Sequence, residues 1–382
     1  MALTFWILIS LIVYAYFGYP LILSFIAYFS KKQVKKKEIY PYVSIIIAAH
    51  NEEMSIRNKL EDTMHLDYPR EKLEIIVASD NSTDRTNEIV RNYNDPKIKL
   101  LSFTERKGKT FIQNEAVKET KGEIILFSDA TTIYDTQLLK KIVRNFADSN
   151  VGAVGGELVY VNKNKSLIGK GDGFYWKYEK FLKKSESQAT SLIGLSGCCY
   201  AIRKELYEPL RPDLISDFVM AQVVYKKNRR VVYEPEAISY EETNETPKDE
   251  FKMRVRVGVR TLYGLWCMRN LLNPFKYGFF SVQLISHKIL RYLVPILLIL
   301  LFLENLILQI NNQFWFYKLS LYLQIIFYLS AFLGWVFRER KTFIYIPFYF
   351  CLTNFALLIG IQIFKRRKTS VMESYKEVGN EK

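Results

Sequence analysis

With 382 residues and a formal net charge of +15 at pH 7, the chain is long enough for one sizeable soluble domain and a further part. Such a charge could suit a nucleic-acid partner, but much of it sits in KKQVKKK (31–37), RERK (338–341) and KRRK (365–368), each beside an apolar segment. That is the pattern of membrane flanks and argues against nucleic acid. The four cysteines, Cys198, Cys199, Cys267 and Cys351, lack metal-ligand spacing and read as inert thiols in a reducing compartment.

Residues 4 to 30 form an uncharged apolar run, longer than the roughly 20 residues that span a bilayer. No charged stretch precedes it and no small-residue cleavage site follows, so residues 1–30 are predicted to be a retained anchor, kinked at Pro20. A basic linker, 31–40, comes next.

From 41 to 245 short β-branched runs alternate with amphipathic stretches, which predicts a mainly parallel sheet with crossover helices. The predicted strands are 43–49, 73–79, 98–103, 123–129 and 151–160, with helices beginning near Glu52, Thr83, Thr110 and Thr136. In such sheets ligands bind at the carboxyl ends of the strands. There the sequence reads His50-Asn51-Glu52-Glu53, Asp80-Asn81-Ser82-Thr83-Asp84, Arg106-Lys107-Gly108-Lys109 and Asp129-Ala130-Thr131. HNEE stands where a dinucleotide or phosphate loop would need glycines, which disfavours dehydrogenases and P-loop NTPases.

Further on, 173–188 reads as an aromatic-rich helix, 194–206 as a glycine turn with a short strand, 214–227 as a helix and 230–242 as a strand. Residues 249–269 form an amphipathic basic helix suited to a membrane surface, and 246–287 is predicted to be interfacial. Apolar stretches at 291–311, 315–337 and 343–364 predict about three spans within 288–364, followed by a basic polar tail, 365–382. Positive flanks place the N-terminus outside and the central domain in the cytoplasm. Three further spans would carry the basic tail outside, so an interfacial or re-entrant segment among them is the alternative that satisfies the rule.

Taken in order, SIIIAAHNEE, LEIIVASDNSTDRT, KGKTFIQNEAV, GEIILFSDATT, SGCCYAIRKEL and LISDF resemble family-2 inverting glycosyltransferases of the GT-A fold, particularly membrane-embedded bacterial members related to polysaccharide synthases. The resemblance covers about Val43 to Arg260 and implies an α/β fold, a mixed, mainly parallel sheet flanked by helices, with transmembrane helices at both ends. It implies a nucleotide-sugar donor held by Ala48, His50, Glu52, Asp80, Lys109, Asp129, Ala130 and Arg256, with Glu52 and Asp80 on the nucleoside and Lys109 at the diphosphate. Asp129 matches the first acid of the DxD element and would hold a divalent cation, Mg or Mn. The second position is Thr131, a neutral hydroxyl where either ion prefers a carboxylate, so the diphosphate would supply much of the coordination.

By the same resemblance Asp217 is the catalytic base; the alternative reading is an N-terminal helix acid beside a Ser216 cap. The Gln-x-x-Arg-Trp element of processive members is absent from KMRVRVGVR, where Arg254, Arg256 and Arg260 could face the diphosphate or anionic lipid. Trp176, Tyr178 and Glu179 could line an acceptor path, although core packing is the commoner use, and His287 reads as interfacial. The implied acceptor is lipid-linked or a polysaccharide at the cytoplasmic face of the cell membrane. A processive synthase and a non-catalytic scaffold are the competing readings.

Overall fold

A computed structural model describes residues 2–30, 32–161, 168–242, 246–311, 314–337 and 342–380, the side chains of 168–175, 311, 342–343 and 367–380 excepted. The RERK flank (338–341) and Lys31 of the basic linker lie outside the described residues.

The strands are β1 (Val43–Ala49), β2 (Leu73–Asp80), β3 (Ile98–Phe103), β4 (Ile124–Asp129), β5 (Ile133–Tyr134), β6 (Val151–Val161), β7 (Cys199–Arg203) and β8 (Arg230–Glu242). They form one sheet in the order β3-β2-β1-β4-β7-β6-β8-β5. The first four in that order are parallel, β7 runs antiparallel between β4 and β6, and β8 returns parallel to β6. Ile45, Ile46 and Ile47 of β1 are all fully buried, as a central strand covered on both faces requires. The two-residue β5, absent from the predicted strands, pairs with β8 through Ile133↔Tyr240; so short a segment carries no readable period.

The helices are α1 (Ala2–Val13), α2 (Tyr19–Ser30), α3 (Ile56–Met64), α4 (Thr86–Arg91), α5 (Lys109–Lys118), α6 (Leu138–Val143) and α7 (Ile168–Ala189). After these come α8 (Ser216–Lys226), α9 (Pro247–Cys267), α10 (Pro274–Tyr277), α11 (Phe279–Gln283), α12 (Arg291–Asn311), α13 (Trp315–Phe337) and α14 (Thr342–Asn380). A π-helical stretch, Tyr14–Gly18, joins α1 to α2 just ahead of Pro20. Proline has no N–H for the carbonyl four residues earlier, and that carbonyl, on Tyr16, accepts from the Tyr178 hydroxyl at 3.0 Å instead.

Among the described residues four stretches are long and apolar enough to cross a membrane: Ala2–Ser30, Phe279–Ile310, Trp315–Phe337 and Ile344–Arg366. The second starts well before residue 291 because its polar residues are paired inside the fold. His287 Nδ1 lies 2.6 Å from Glu186, which also accepts from Tyr19 at 3.0 Å, and Arg291 pairs with Glu179 at 2.7 Å. These contacts fasten α7 to the membrane helices, so Tyr178 and Glu179 belong to packing here.

Candidate functional site

The carboxyl ends of β1 and β2 are laced together by the two polar loops that follow them. Asn51 and Asn81 take left-handed backbone conformations, φ 56° and 54°. The Asn51 side chain accepts from the Thr83 amide at 2.8 Å, the Glu52 amide donates to Thr86 Oγ1 at 2.8 Å and the Glu53 amide to Asp84 Oδ2 at 3.0 Å. Asp84 also accepts from the Thr86 amide at 3.0 Å, which ties the start of α4 to the same loop.

His50 Nδ1 lies 2.6 Å from the Asp80 carbonyl, which can only accept, so Nδ1 carries a proton and donates it there. Ala48 pairs across the sheet with Asp129, Ala130 is buried just beyond, and Glu52 accepts from the Ser55 hydroxyl. The buried Asp80 carboxylate accepts the amides of Lys107 and Gly108, each at 2.8 Å. It thereby clamps the loop whose last turn, with Gly108 at φ 90°, launches α5 at Lys109.

Lys109 reaches across the cleft. Its ammonium pairs with Asp129 and donates to the Gly197 carbonyl at 3.2 Å. Asp217 lies in the first turn of α8, where Oδ1 accepts the Phe218 amide at 2.7 Å. Its other oxygen faces Gly197, since a Cβ built there would stand 2.8 Å from Oδ2 and 3.2 Å from Lys109 Nζ. Ser216 is no cap: it is the first residue of α8, whose cap position is Ile215 with no side-chain cap bond, and its hydroxyl donates to Gln113 at 2.7 Å. Burial pushes the Asp217 carboxyl above the ordinary aspartate range, while Lys109 pulls it back.

Lys109, Asp129 and Asp217 therefore meet around Gly197, while His50, Glu52 and Asp80 line the adjoining β1–β2 edge. Arg256 stays exposed on α9; Arg260, one turn on, turns toward the cleft and donates to the Leu214 carbonyl. Gly197 and Glu241 belong to this region without having been singled out in the sequence. Glu241 follows the Ile133↔Tyr240 pair, and burial, then Asp129, push its carboxyl up to about 7. Only the strand register reveals it.

This arrangement defines a GT-A-type α/β domain joined to membrane-length helices. Residues 44–211 match the family described as Glycosyl transferase family 2, and the chain carries a domain of that family. It is 30% identical over 238 residues to the probable glycosyltransferase YdaM of Bacillus subtilis, covering 56% of this chain and 54% of that protein. It is 27% identical over 221 residues to the poly-beta-1,6-N-acetyl-D-glucosamine synthase of Staphylococcus epidermidis, covering 56% and 53%. The chain thus spans about half the length of the curated relatives it matches. Among solved structures, the mannosyltransferase PcManGT of Pyrobaculum calidifontis, in complex with GDP-Man and Mn2+, shares the fold with a TM-score of 0.69 at 23% identity, covering 93% of this chain and 99% of that one.

Proposed function

We propose that the chain is an inverting glycosyltransferase that moves a sugar, a hexose or N-acetylhexosamine, from a nucleotide-diphosphate donor, a UDP-sugar first among them, to a lipid-linked or polysaccharide acceptor. The reaction takes place at the cytoplasmic face of the cell membrane. The observation that carries this reading is the meeting of Lys109, Asp129 and Asp217 around Gly197 at the carboxyl edge of the sheet.

In this reading the diphosphate lies beside Lys109, and the nucleoside beside the β1–β2 loops with Glu52, His50 and Asp80. Asp217 accepts the proton of the acceptor hydroxyl as that oxygen bonds to the anomeric carbon. The bond from that carbon to the phosphate oxygen breaks with its electron pair, and the nucleoside diphosphate leaves beside the Lys109 ammonium. The half-buried position of Asp217 keeps its carboxylate basic enough for this step.

A divalent cation fits as a partner of the diphosphate. Among the described residues no group of three or more His, Cys, Asp or Glu is placed to hold a metal ion, so Asp129 would hold the ion together with phosphate oxygens. When bound, the ion supplies charge neutralisation at the phosphates.

Similarity to a polysaccharide synthase favours one second reading, a processive enzyme, and long polymer made by the purified chain alone would establish it. The test of the main reading is purification in detergent with Mg or Mn, then a screen of nucleotide sugars for release of nucleoside diphosphate beside Asp217→Asn. Release by the wild type alone supports it. A wild type that neither releases nor binds nucleoside diphosphate overturns it in favour of a non-catalytic scaffold.

A further inference from the structure

Helix α9 is more than a membrane-surface element. Thr246 caps it, accepting the Asp249 amide at 3.2 Å, and Pro247 opens its first turn. Along its length α9 runs beside α14 in the same direction, with Phe251 against Phe355 at 5.8 Å and Tyr263 against Phe364 at 4.9 Å. Its opposite side presses on the helix that carries Asp217. A Cβ at Gly264 would come within 2.9 Å of Val219 and 3.1 Å of Phe218, so glycine is what allows α8 and α9 to approach this closely.

From this seat Arg260 reaches the segment that leads into α8. Its guanidinium donates to the Leu214 carbonyl and, at 3.2 Å, to Thr110 Oγ1, while Thr110 Oγ1 itself donates to the same carbonyl at 2.8 Å. The segment is held at two further points by α5. Asn114 donates to the Leu210 carbonyl at 2.6 Å and accepts the Leu210 amide at 3.1 Å, and Gln113 accepts the Ser216 hydroxyl at 2.7 Å. Residues 210–216 are thus fixed to the helix that begins with Lys109 at Leu210, Leu214 and Ser216, and Arg260 adds a second bond at Leu214 from a helix packed on the membrane part. The fork of a guanidinium suits two acceptors side by side, a geometry that an ammonium reproduces only in part.

We infer that Arg260 is a positioning residue that makes the placement of Asp217 depend on the seating of α9 against α14. The inference rests on the function proposed above. It assigns Arg260 to the base and not to the donor diphosphate, because its hydrogen bonds go to Leu214 and Thr110. The guanidinium also faces Asp217 electrostatically and favours its ionised form.

The test compares wild type, Arg260→Ala and Arg260→Lys, as full-length protein in detergent. Turnover with the donor found by the screen, its pH profile, binding of UDP or GDP (whichever the wild type releases) and amide exchange across residues 210–217 are measured. Arg260→Ala is expected to lower kcat about tenfold or more, since small misplacements of a reacting group have large effects on rate. KM for the donor and nucleoside diphosphate affinity should stay within about twofold. The acid limb of kcat should move to higher pH and exchange across 210–217 should quicken, with Arg260→Lys restoring part of each. Weakened nucleoside diphosphate binding with an unmoved acid limb overturns the inference and makes Arg260 a donor ligand. Unchanged kcat and acid limb overturn it and leave a staple of the fold. Should Arg260→Ala fail to fold, Thr110→Val removes the shared hydroxyl: a smaller fall in kcat with quickened exchange supports the inference, and an unchanged kcat overturns it. A wild type inactive with every donor overturns the proposed function itself.

Discussion

Gly197 and Asp217 are in such close register that a methyl group on the glycine would stand 2.8 Å from Asp217 Oδ2. The atom in the way is the free end of a side chain, so Gly197→Ala displaces the carboxylate and leaves the backbone in place. The expected result is a fall in kcat of about tenfold or more with an unchanged circular dichroism spectrum. Full activity in Gly197→Ala would remove Asp217 from its assigned role.

The pH dependence follows from the same carboxylate. Burial raises the Asp217 pKa, Lys109 lowers it, and burial dominates. In its proposed role as base Asp217 works only when ionised, so activity is expected to fall as pH drops through that pKa. The acid limb of kcat should therefore lie above that of an ordinary exposed aspartate. Lys109→Met removes the opposing charge, so its acid limb should move to still higher pH, and nucleoside diphosphate binding should weaken.

Metal dependence should track Asp129 and Thr131. Asp129→Asn is expected to abolish the part of nucleoside diphosphate binding that depends on Mn2+, measured by calorimetry with and without the ion. Thr131 is exposed, so Thr131→Asp adds a hard oxygen ligand without burying a charge and should lower the Mn2+ concentration needed for half-maximal binding.

Beneath the same loop Lys59 is almost fully buried, with its ammonium 2.6 Å from the Thr132 carbonyl, 3.6 Å from Asp62 and 3.3 Å from the centre of the Tyr134 ring. Burial pushes its pKa down to about 8. Lys59→Met leaves Asp62 without its ammonium partner, with the Tyr134 amide still donating to it at 2.9 Å, and should cost about 3 kcal/mol of stability. Adding Asp62→Asn should recover part of that loss in a double-mutant cycle read by thermal unfolding.

The tail should lie on the catalytic side of the membrane. Phe364 near the end of the apolar part of α14 meets Tyr263, and the next residue, Gly264, packs on α8. A C-terminal reporter is expected to show the same sidedness as one placed in the catalytic domain, and opposite sidedness would establish a fourth full crossing. This placement also satisfies the positive flank at KRRK, which four crossings would leave on the wrong side.

Much of the domain was legible because its information is local. Strands buried on both faces read as runs such as VSIIIAA and LEIIVAS, and the polar loops after them mark the binding edge whatever the rest of the chain does. The boundaries of β1, β3 and β8 follow the β-branched runs closely for that reason. Local pattern could not say what each loop residue touches. Asp80 reads as a nucleoside ligand, and the sequence does not show that its two oxygens also accept amides from the loop that launches Lys109.

By itself the sequence determined the alternating α/β plan, the apolar ends and the acids and lysines on one edge, because hydrophobic period and turn chemistry act over a few residues at a time. Tertiary structure alone decided that Gly197 lies against both Lys109 and Asp217, that Glu241 joins the site through the register of β8, and that Arg260 bonds to the segment leading into α8 while Arg256 is exposed. Each of these depends on residues far apart in the chain, and their contacts exist only once the sheet order and the packing of α9 between α8 and α14 have set the distances.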